Sequence, residues 1–203
     1  DDPAFERAKQ ILHLGGLVAF PTETVYGLGA DATNDRAVAK IFEAKKRPKF
    51  NPLIVHISEI NTARQFAHFD ERAERVAKAY WPGPLSIVLP RREDCNLSLL
   101  VSAGLDTVAL RVPGNPLTHK LLSHASCPIA APSANISGEI SPTLAEHVAK
   151  SLPRPSEGGP QLILDGGACN VGLESSVIDL SIPRPTLLRP GGITFESLSN
   201  LLD

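Results

Sequence analysis

The chain has 203 residues, a formal net charge of −2, and 42% apolar against 21% charged residues. This length predicts one domain with a sizeable core, and this composition argues against a disordered chain. The charge argues against a globally basic nucleic-acid binder, although a local basic patch stays open. No apolar run approaches the roughly 20 residues of a membrane span, which excludes a transmembrane protein. Three widely separated cysteines without a CxxC pair favour a reducing, cytoplasmic location.

The first half of the chain predicts alternating helices and strands. Apolar residues at helical spacing indicate a helix over Ala4–Leu14, which a glycine pair ends. A short buried strand, Leu17–Phe20, follows, and then Asn34 or Asp35 caps a second helix. The pattern next predicts a strand at Leu53–Ile57, helices around Ile60–Phe66 and Glu71–Tyr80, and a strand at Leu85–Leu89.

The second half is richer in strands. Short apolar runs predict strands at Val108–Val112, Ile129–Ala131, Leu162–Leu164, Val177–Leu180 and Thr186–Leu188. Helical patterns lie at Leu117–His124, Leu144–Ser151 and Phe195–Leu202, and residues 151–160 are predicted to form a surface loop. Several late strands have no helix between them. The expected fold is therefore α/β or α+β with one mixed sheet, and not a strictly doubly wound one.

Common catalytic signatures are absent from the sequence. It contains no GxxxxGK[ST] phosphate loop, no GxSxG nucleophile elbow and no HExxH zinc motif. Gly27 and Gly29 match a GxGxxA pattern loosely, but the next helix starts too late for a dinucleotide-binding fingerprint. The alternative for these two glycines is a tight turn.

Hydroxyl and cationic side chains gather near the ends of predicted strands. Thr22 and Thr24 follow the first strand, at the kind of sheet edge where open α/β sheets bind ligands. Arg111 lies in an apolar strand and needs a partner, either a ligand carboxylate or a structural acid. His56 is similarly placed, and a lone strand histidine is more often a satisfied core group than a ligand.

Three later segments repeat this pattern of small polar or cationic groups after apolar runs. They are Pro132–Gly138, Glu174–Val177 and Arg189–Gly192. Their side chains either bind phosphate or ribose groups or form ordinary turns. Since no nucleophile is evident, the strand ends together favour binding and orienting an anionic substrate, with catalysis by positioning and electrostatics.

A basic segment runs from Lys40 to Lys49, with five basic residues and one acid, Glu43. Cations at a helix C-terminus are favoured by the helix dipole, but this effect, worth about 0.3–1 kcal/mol, explains only one or two of them. The segment therefore predicts a polyanion site. A solvated basic face is the alternative.

Ordered segments along the chain carry a resemblance to a known family. They read PTETVYGLGADA, KKRPKFNPLIVHI, YWPGPLSIVL, GLDTVALRVP, APSANISG, ESSVID and LLRPGG. Together, from about Gly15 to Gly192, they resemble the YrdC-domain family, the threonylcarbamoyl-AMP synthases. The resemblance implies a single α/β domain over residues 1–203, with a twisted mixed sheet, helices on its faces and a concave, positively lined cleft. Some relatives continue into a second domain, so the chain is either a short form or one domain of a longer protein.

The resemblance also implies a reaction and its residues. Such enzymes make threonylcarbamoyl-adenylate and pyrophosphate from L-threonine, bicarbonate and ATP with Mg²⁺, and a transferase complex then uses the product to modify tRNA. The resemblance assigns threonine binding to Thr24 or Thr22, His56, Arg111, the backbone of Ala131, and Ser175. It assigns the nucleotide to Arg47, Asn51, Thr107, Ser133, Asn135, Ser141 and Arg189. Lys45 and Arg47 would be the catalytic pair over the phosphates and bicarbonate.

Three residues depart from the family pattern, and two other functions stay open. Ser86 and Ser176 stand where threonine is usual and keep a hydroxyl, whereas Asn115 stands where histidine is frequent. One alternative is a module that binds double-stranded RNA or tRNA without catalysis. The other is a carbamoyl-transfer domain of hydrogenase maturation, which normally has zinc-finger-like cysteines that this chain lacks.

Overall fold

The computed structural model describes residues 2–202, whose strands and helices alternate along most of the chain. The strands are β1 (Val18–Pro21), β2 (Tyr26–Asp31), β3 (Ile54–His56), β4 (Leu85–Pro90), β5 (Thr107–Arg111), β6 (Ile129–Ala130), β7 (Leu162–Ile163), β8 (Ser176–Asp179) and β9 (Thr186–Arg189). The helices are α1 (Pro3–His13), α2 (Asp35–Lys45), α3 (Ile60–Ala63), α4 (Glu71–Tyr80), α5 (Pro116–Ala125), α6 (Ala145–Ser151) and α7 (Phe195–Leu202). The predicted elements are thus present, with α3 shorter than expected and a 3₁₀ turn, Pro155–Glu157, in the predicted loop.

These strands form one mixed sheet in the order β7-β1-β2-β6-β3-β5-β4-β8-β9. The pairs β1–β7, β3–β5 and β4–β8 are parallel, and the other neighbours are antiparallel. The predicted α/β fold with one mixed sheet is therefore confirmed. Of the described helices, none combines the length and the apolar character that crossing a bilayer requires.

Side-chain caps explain where several helices begin. Asn34 accepts a hydrogen bond from the amide of Ala37, so Asn34 and not Asp35 is the cap of α2. Asp70 caps α4 in the same way, and Asn115 caps α5 through two backbone amides. Each such cap satisfies helix N–H groups that would otherwise have no partner.

Helices cover both faces of the sheet, and the side chains of β1 and of the residue before it alternate between two cores. Leu17, just before β1, and Ala19 face the larger core, which contains the apolar sides of α2 and α4. Val18 and Phe20 face a smaller core built with α1 and α5. The period-two alternation of a strand places successive side chains on opposite faces.

Gly27 and Gly29 lie inside β2, so the predicted tight turn between them is wrong. Neither glycine has a positive φ. A Cβ atom on Gly29 would stand 2.6 Å from the Phe20 ring and 2.7 Å from Ile129. Glycine is required there because neighbouring strands bring bulky side chains against the backbone, a use of glycine that differs from a turn.

We expect Gly29→Ala to lower the free energy of unfolding by roughly 1–3 kcal/mol, since the added methyl overpacks a buried site. Gly114→Ala is the control, because a Cβ there would meet its nearest neighbour at an ordinary 3.6 Å. Urea denaturation of both variants measures the effect. Equal midpoints for the two variants would contradict this account of β2.

Candidate functional site

A polar pocket opens where the β1–β2 hairpin, β3, β5, β6 and the β8–β9 hairpin meet. It brings together nine residues that the sequence analysis assigned to substrates: Thr22, Thr24, Arg47, His56, Arg111, Ala131, Ser133, Ser175 and Arg189. Val25, Gly27, Pro52, Leu53, Ile54, Pro132 and Glu174 complete the lining. With three arginines and one carboxylate, this pocket is positively lined.

Arg111 is buried and held in place by three hydrogen bonds, two to the β1–β2 loop and one to the segment before β4. Its Nη2 donates to Glu23 Oε1 at 2.7 Å, its Nη1 to Thr24 Oγ1 at 3.1 Å and its Nε to the carbonyl of Gly83 at 3.2 Å. Burial lowers the pKa of Arg111, while the charge of Glu23 opposes that shift. A guanidinium has five N–H donors, so two remain for a ligand that enters the pocket.

The two threonines of the β1–β2 loop share one hydrogen-bond chain. Thr22 Oγ1 donates to the carbonyl of Val25 at 2.7 Å, so it accepts at 2.7 Å from Thr24 Oγ1. Thr22 also accepts from the amides of Thr24 and Val25. Its hydroxyl is therefore fully used in shaping the loop, which leaves Thr24 as the threonine with capacity for a ligand.

His56 lies beside Arg111, because the two residues are register partners of the parallel strands β3 and β5. Its ring is buried, stands edge-on to Phe20, and has Nδ1 without a partner among the described residues. Burial, together with the charge of Arg111, lowers the pKa of His56 to about 3. The ring is thus a neutral donor and acceptor at physiological pH.

Arg189 holds Glu174 and Ser175 together at one side of the pocket. Its Nη1 pairs with Glu174 Oε2, its Nε donates to the Ser175 carbonyl at 2.9 Å, and its Nη2 donates to Ser175 Oγ at 3.1 Å. Glu174 also accepts from Ser141 Oγ at 2.7 Å. Burial raises the pKa of Glu174, but the charge of Arg189 and the hydroxyls of Ser141 and Ser133 outweigh it, so the net shift is downward.

The two predicted catalytic residues differ in position. Arg47 lines the pocket and donates to the carbonyl of Pro52 at 3.0 Å. Lys45 is 1% exposed and donates to the carbonyls of Ser133 and Asn135 behind the pocket wall. Burial and the charge of Arg47 lower the pKa of Lys45 to about 8. Lys45 therefore holds the wall of the pocket through these two carbonyls, and its placement over the phosphates stays a prediction.

Four further predicted residues lie outside the pocket lining. Ser141 reaches the pocket only through Glu174, and Asn51 adjoins it through the backbone that holds Arg47. Asn135 directs its side-chain amide to the carbonyls of Ile136 and Glu139. Thr107 begins β5 whereas Arg111 ends it, and four residues of strand span about 13 Å. The structure thus does not bring Thr107 together with the pocket.

The basic segment from Lys40 to Lys49 does not form one polyanion site. Lys40 donates to the carbonyl of Gly15, Lys45 points into the pocket wall, and Lys46 ends α2 in a left-handed conformation. Only Arg47 of the five lines the pocket. A helix turns its side chains through about 100° per residue, so neighbours in sequence point in different directions.

Two glutamates that the sequence did not indicate as site residues hold the pocket arginines. Glu23 pairs with Arg111 and Glu174 pairs with Arg189. The one available signal was that each glutamate stands beside a predicted pocket residue, Thr24 or Ser175. Adjacency in sequence does not reveal a partner that comes from a different strand.

A family model described as Sua5_yciO_yrdC, telomere recombination, matches residues 10–191. The chain belongs to the Sua5/YciO/YrdC family. The threonylcarbamoyl-AMP synthase of Bacillus subtilis (strain 168) is 48% identical over 203 residues, covering 100% of this chain and 57% of that protein. The chain spans about half the length of this relative and of two others, the threonylcarbamoyl-AMP synthases of Pyrococcus abyssi and Schizosaccharomyces pombe, between 53% and 57%.

Solved structures share the fold of this Sua5/YciO/YrdC chain. Pyrococcus abyssi Sua5 complexed with L-threonine superposes with a TM-score of 0.91 at 48% identity, covering 98% of this chain and 57% of that one. Escherichia coli YciO superposes with a TM-score of 0.84 at 22% identity, covering 98% of this chain and 94% of that one. The second likeness shows the fold alone.

We expect His56 to make the protein less stable as the pH falls from about 6.5 to about 3. In this window the unfolded chain binds a proton that the folded chain, with a His56 pKa of about 3, does not. The free energy of unfolding should lose up to about 1.4 kcal/mol per pH unit from this residue. Urea denaturation across the window measures the slope, which His56→Gln should reduce.

The control for this measurement is His119→Gln, because His119 is exposed on α5. This variant should keep the wild-type slope. If His56→Gln also keeps it, the buried neutral state of His56 is refuted.

Proposed function

We propose that this domain carries the synthase activity that makes threonylcarbamoyl-AMP and pyrophosphate from L-threonine, bicarbonate and ATP, a nucleotidyl transfer. The observation that carries the proposal is the joining of three arginines and the Thr24 and Ser175 hydroxyls in one pocket. Family membership and synthases as relatives support it. Arg111 and Arg189 are held by separate glutamates, so the pocket offers two separate cationic positions for the two anionic substrates.

In this proposal the reaction needs no nucleophile from the protein. The amine of threonine combines with bicarbonate and loses water, which yields a carbamate. A carbamate oxygen then forms a bond to the α-phosphorus of ATP, and the bond from that phosphorus to pyrophosphate breaks. Both reacting groups are anions, so the protein must mainly align them and offset their repulsion.

Each pocket residue has a proposed task in this reaction. Arg111 binds the carboxylate of threonine with its two remaining donors, and Thr24, His56, Ser175 and the backbone of Ala131 complete the site for the amino acid. Arg47 and Arg189 offset phosphate charge, and Ser133 contacts the nucleotide from the loop that Lys45 supports. Asn51, Thr107, Asn135 and Ser141 stay predicted nucleotide contacts, and for these residues the proposal rests on the resemblance.

The donor set fits a magnesium ion that arrives with the nucleotide. Among residues 2–202 there is no group of three His, Cys, Asp or Glu side chains placed to hold a metal. Glu174 is the lining carboxylate, and Mg²⁺ in such sites commonly takes one or two carboxylates together with substrate phosphates. Glu174 would therefore hold it. When bound, Mg²⁺ offsets phosphate charge and polarises phosphoryl oxygens.

The partners and location of the protein are parts of the same proposal. The adenylate would pass to a transferase complex that modifies tRNA, in the cytoplasm, where the three free thiols are in keeping with a reducing environment. The comparisons do not favour an RNA-binding module without catalysis, because the curated relatives are named as synthases. RNA binding stays a prediction.

The first test is pyrophosphate release from ATP with Mg²⁺ and bicarbonate, with and without L-threonine. We expect release that depends on threonine and is much weaker with L-serine, which lacks the methyl group. Pyrophosphate release that is the same with and without threonine, or salt-dependent RNA binding without any pyrophosphate release, would overturn the proposal. Calorimetric titration with threonine and ATP then distinguishes a domain that binds both without turnover from one that binds neither.

We expect Arg47→Ala to lower turnover at least tenfold while the protein stays folded, because Arg47 lines the pocket and carries charge toward the phosphates. Lys49→Ala is the matched control, since Lys49 is an exposed cation two residues away. Steady-state pyrophosphate release with a urea-denaturation check measures both variants. Equal turnover in the two variants would remove Arg47 from the proposed reaction.

A further inference from the structure

A fully buried hydroxyl stands directly behind the pocket. Ser86 lies in β4 with 0% of its surface exposed and is not part of the pocket lining. Its Oγ lies 2.8 Å from the Oγ of Ser175, which does line the pocket. β4 and β8 are parallel neighbours, and this register brings the two serines together from positions 89 residues apart.

The direction of this hydrogen bond follows from the surroundings of Ser86. Among the described residues, Ser175 Oγ is the one hydrogen-bond partner of the Ser86 hydroxyl. If Ser175 donated the proton, the proton of Ser86 would be buried without an acceptor, which is unfavourable. Ser86 therefore donates to Ser175.

A second donor occupies the other lone pair of Ser175. Arg189 Nη2 donates to Ser175 Oγ at 3.1 Å, and the guanidinium is held by the Ser175 carbonyl and by Glu174. A serine hydroxyl has one proton and two lone pairs. Ser86 and Arg189 thus occupy both lone pairs of Ser175, so the proton of Ser175 is left for a ligand in the pocket.

Thr24 offers a ligand the opposite hydrogen-bonding role, that of an acceptor. Its hydroxyl donates to Thr22 and accepts from Arg111 Nη1, so one lone pair remains for a ligand. The pocket thus offers an acceptor at Thr24 and a donor at Ser175. A free amino acid has the complementary groups, because its amine and hydroxyl donate and its carboxylate accepts.

We propose that Ser86 is a positioning residue that holds Ser175 as a hydrogen-bond donor toward the carboxylate of the bound amino acid. The inference rests on the proposed function and deepens it, since it names a residue outside the pocket that sets how the pocket recognises threonine. A phosphate oxygen of the nucleotide is also a pure acceptor, so the test must separate the two ligands.

The experiment compares Ser86→Thr with Ser86→Val. These side chains have nearly the same shape and add the same bulk to a buried site, so they differ in the hydroxyl alone. Calorimetry measures the dissociation constants for L-threonine and, separately, for ATP with Mg²⁺. Urea denaturation shows whether both variants fold, and Ser86→Ala provides a smaller variant in case the added bulk prevents folding.

We expect Ser86→Val to bind L-threonine roughly three- to tenfold more weakly than Ser86→Thr, the range of one neutral hydrogen bond. The affinity for ATP should be equal in the two variants. If both bind threonine equally, the inference is overturned while the proposed function stands. If ATP affinity falls by the same factor or more, Ser175 does not serve the amino-acid carboxylate selectively, and the inference is again overturned.

The wild-type titration separates a failure of the proposed function from a failure of the inference. If wild type itself does not bind L-threonine, the proposed function fails and this inference falls with it. If wild type binds threonine, the comparison of the two variants decides the role of Ser86 alone.

Discussion

The buried guanidinium of Arg111 is the constraint on which the site depends. A cation at 4% side-chain exposure is unfavourable unless its donors and charge find partners. Glu23, Thr24 and the carbonyl of Gly83 provide them, and they come from the β1–β2 loop and from the segment before β4. One side chain thus connects two distant parts of the chain to the end of β5. These hydrogen bonds of Arg111 fix the positions of the segments that form the pocket.

The second ion pair gives the pocket its electrostatic character. Glu174 holds Arg189, as Glu23 holds Arg111, so each strong cation is partly neutralised before a ligand arrives. Of the two pairs, Arg111–Glu23 is the buried one, and removing one member of a buried pair leaves the other uncompensated, at a cost of about 3–5 kcal/mol. An anionic ligand has to share the arginines with these glutamates. The two ion pairs therefore favour ligands with enough negative charge to compete with the glutamates for the arginines, or ligands that bring a cation to neutralise the glutamates.

Most of the fold could be predicted from sequence because its signals are local. The α4 prediction, Glu71–Tyr80, has the observed bounds, and apolar runs located the strands within a few residues. β2 was missed because Gly27 and Gly29 are poor strand formers whose role depends on Phe20, Ile129 and Ala131 from neighbouring strands. No local pattern contains that information.

The sequence by itself determined the family, the mixed α/β fold and nine of the residues that line the pocket, because motifs and hydrophobic periodicity can be read along the chain. Only the tertiary structure decided which of them face a ligand. Lys45 donates to a carbonyl in the pocket wall, and the hydroxyl of Thr22 donates to a carbonyl of its own loop. Thr107 lies at the end of β5 opposite to Arg111. The physical reason is that hydrogen-bond partners and burial depend on contacts between strands and loops distant in sequence, and these contacts exist only once the sheet has formed.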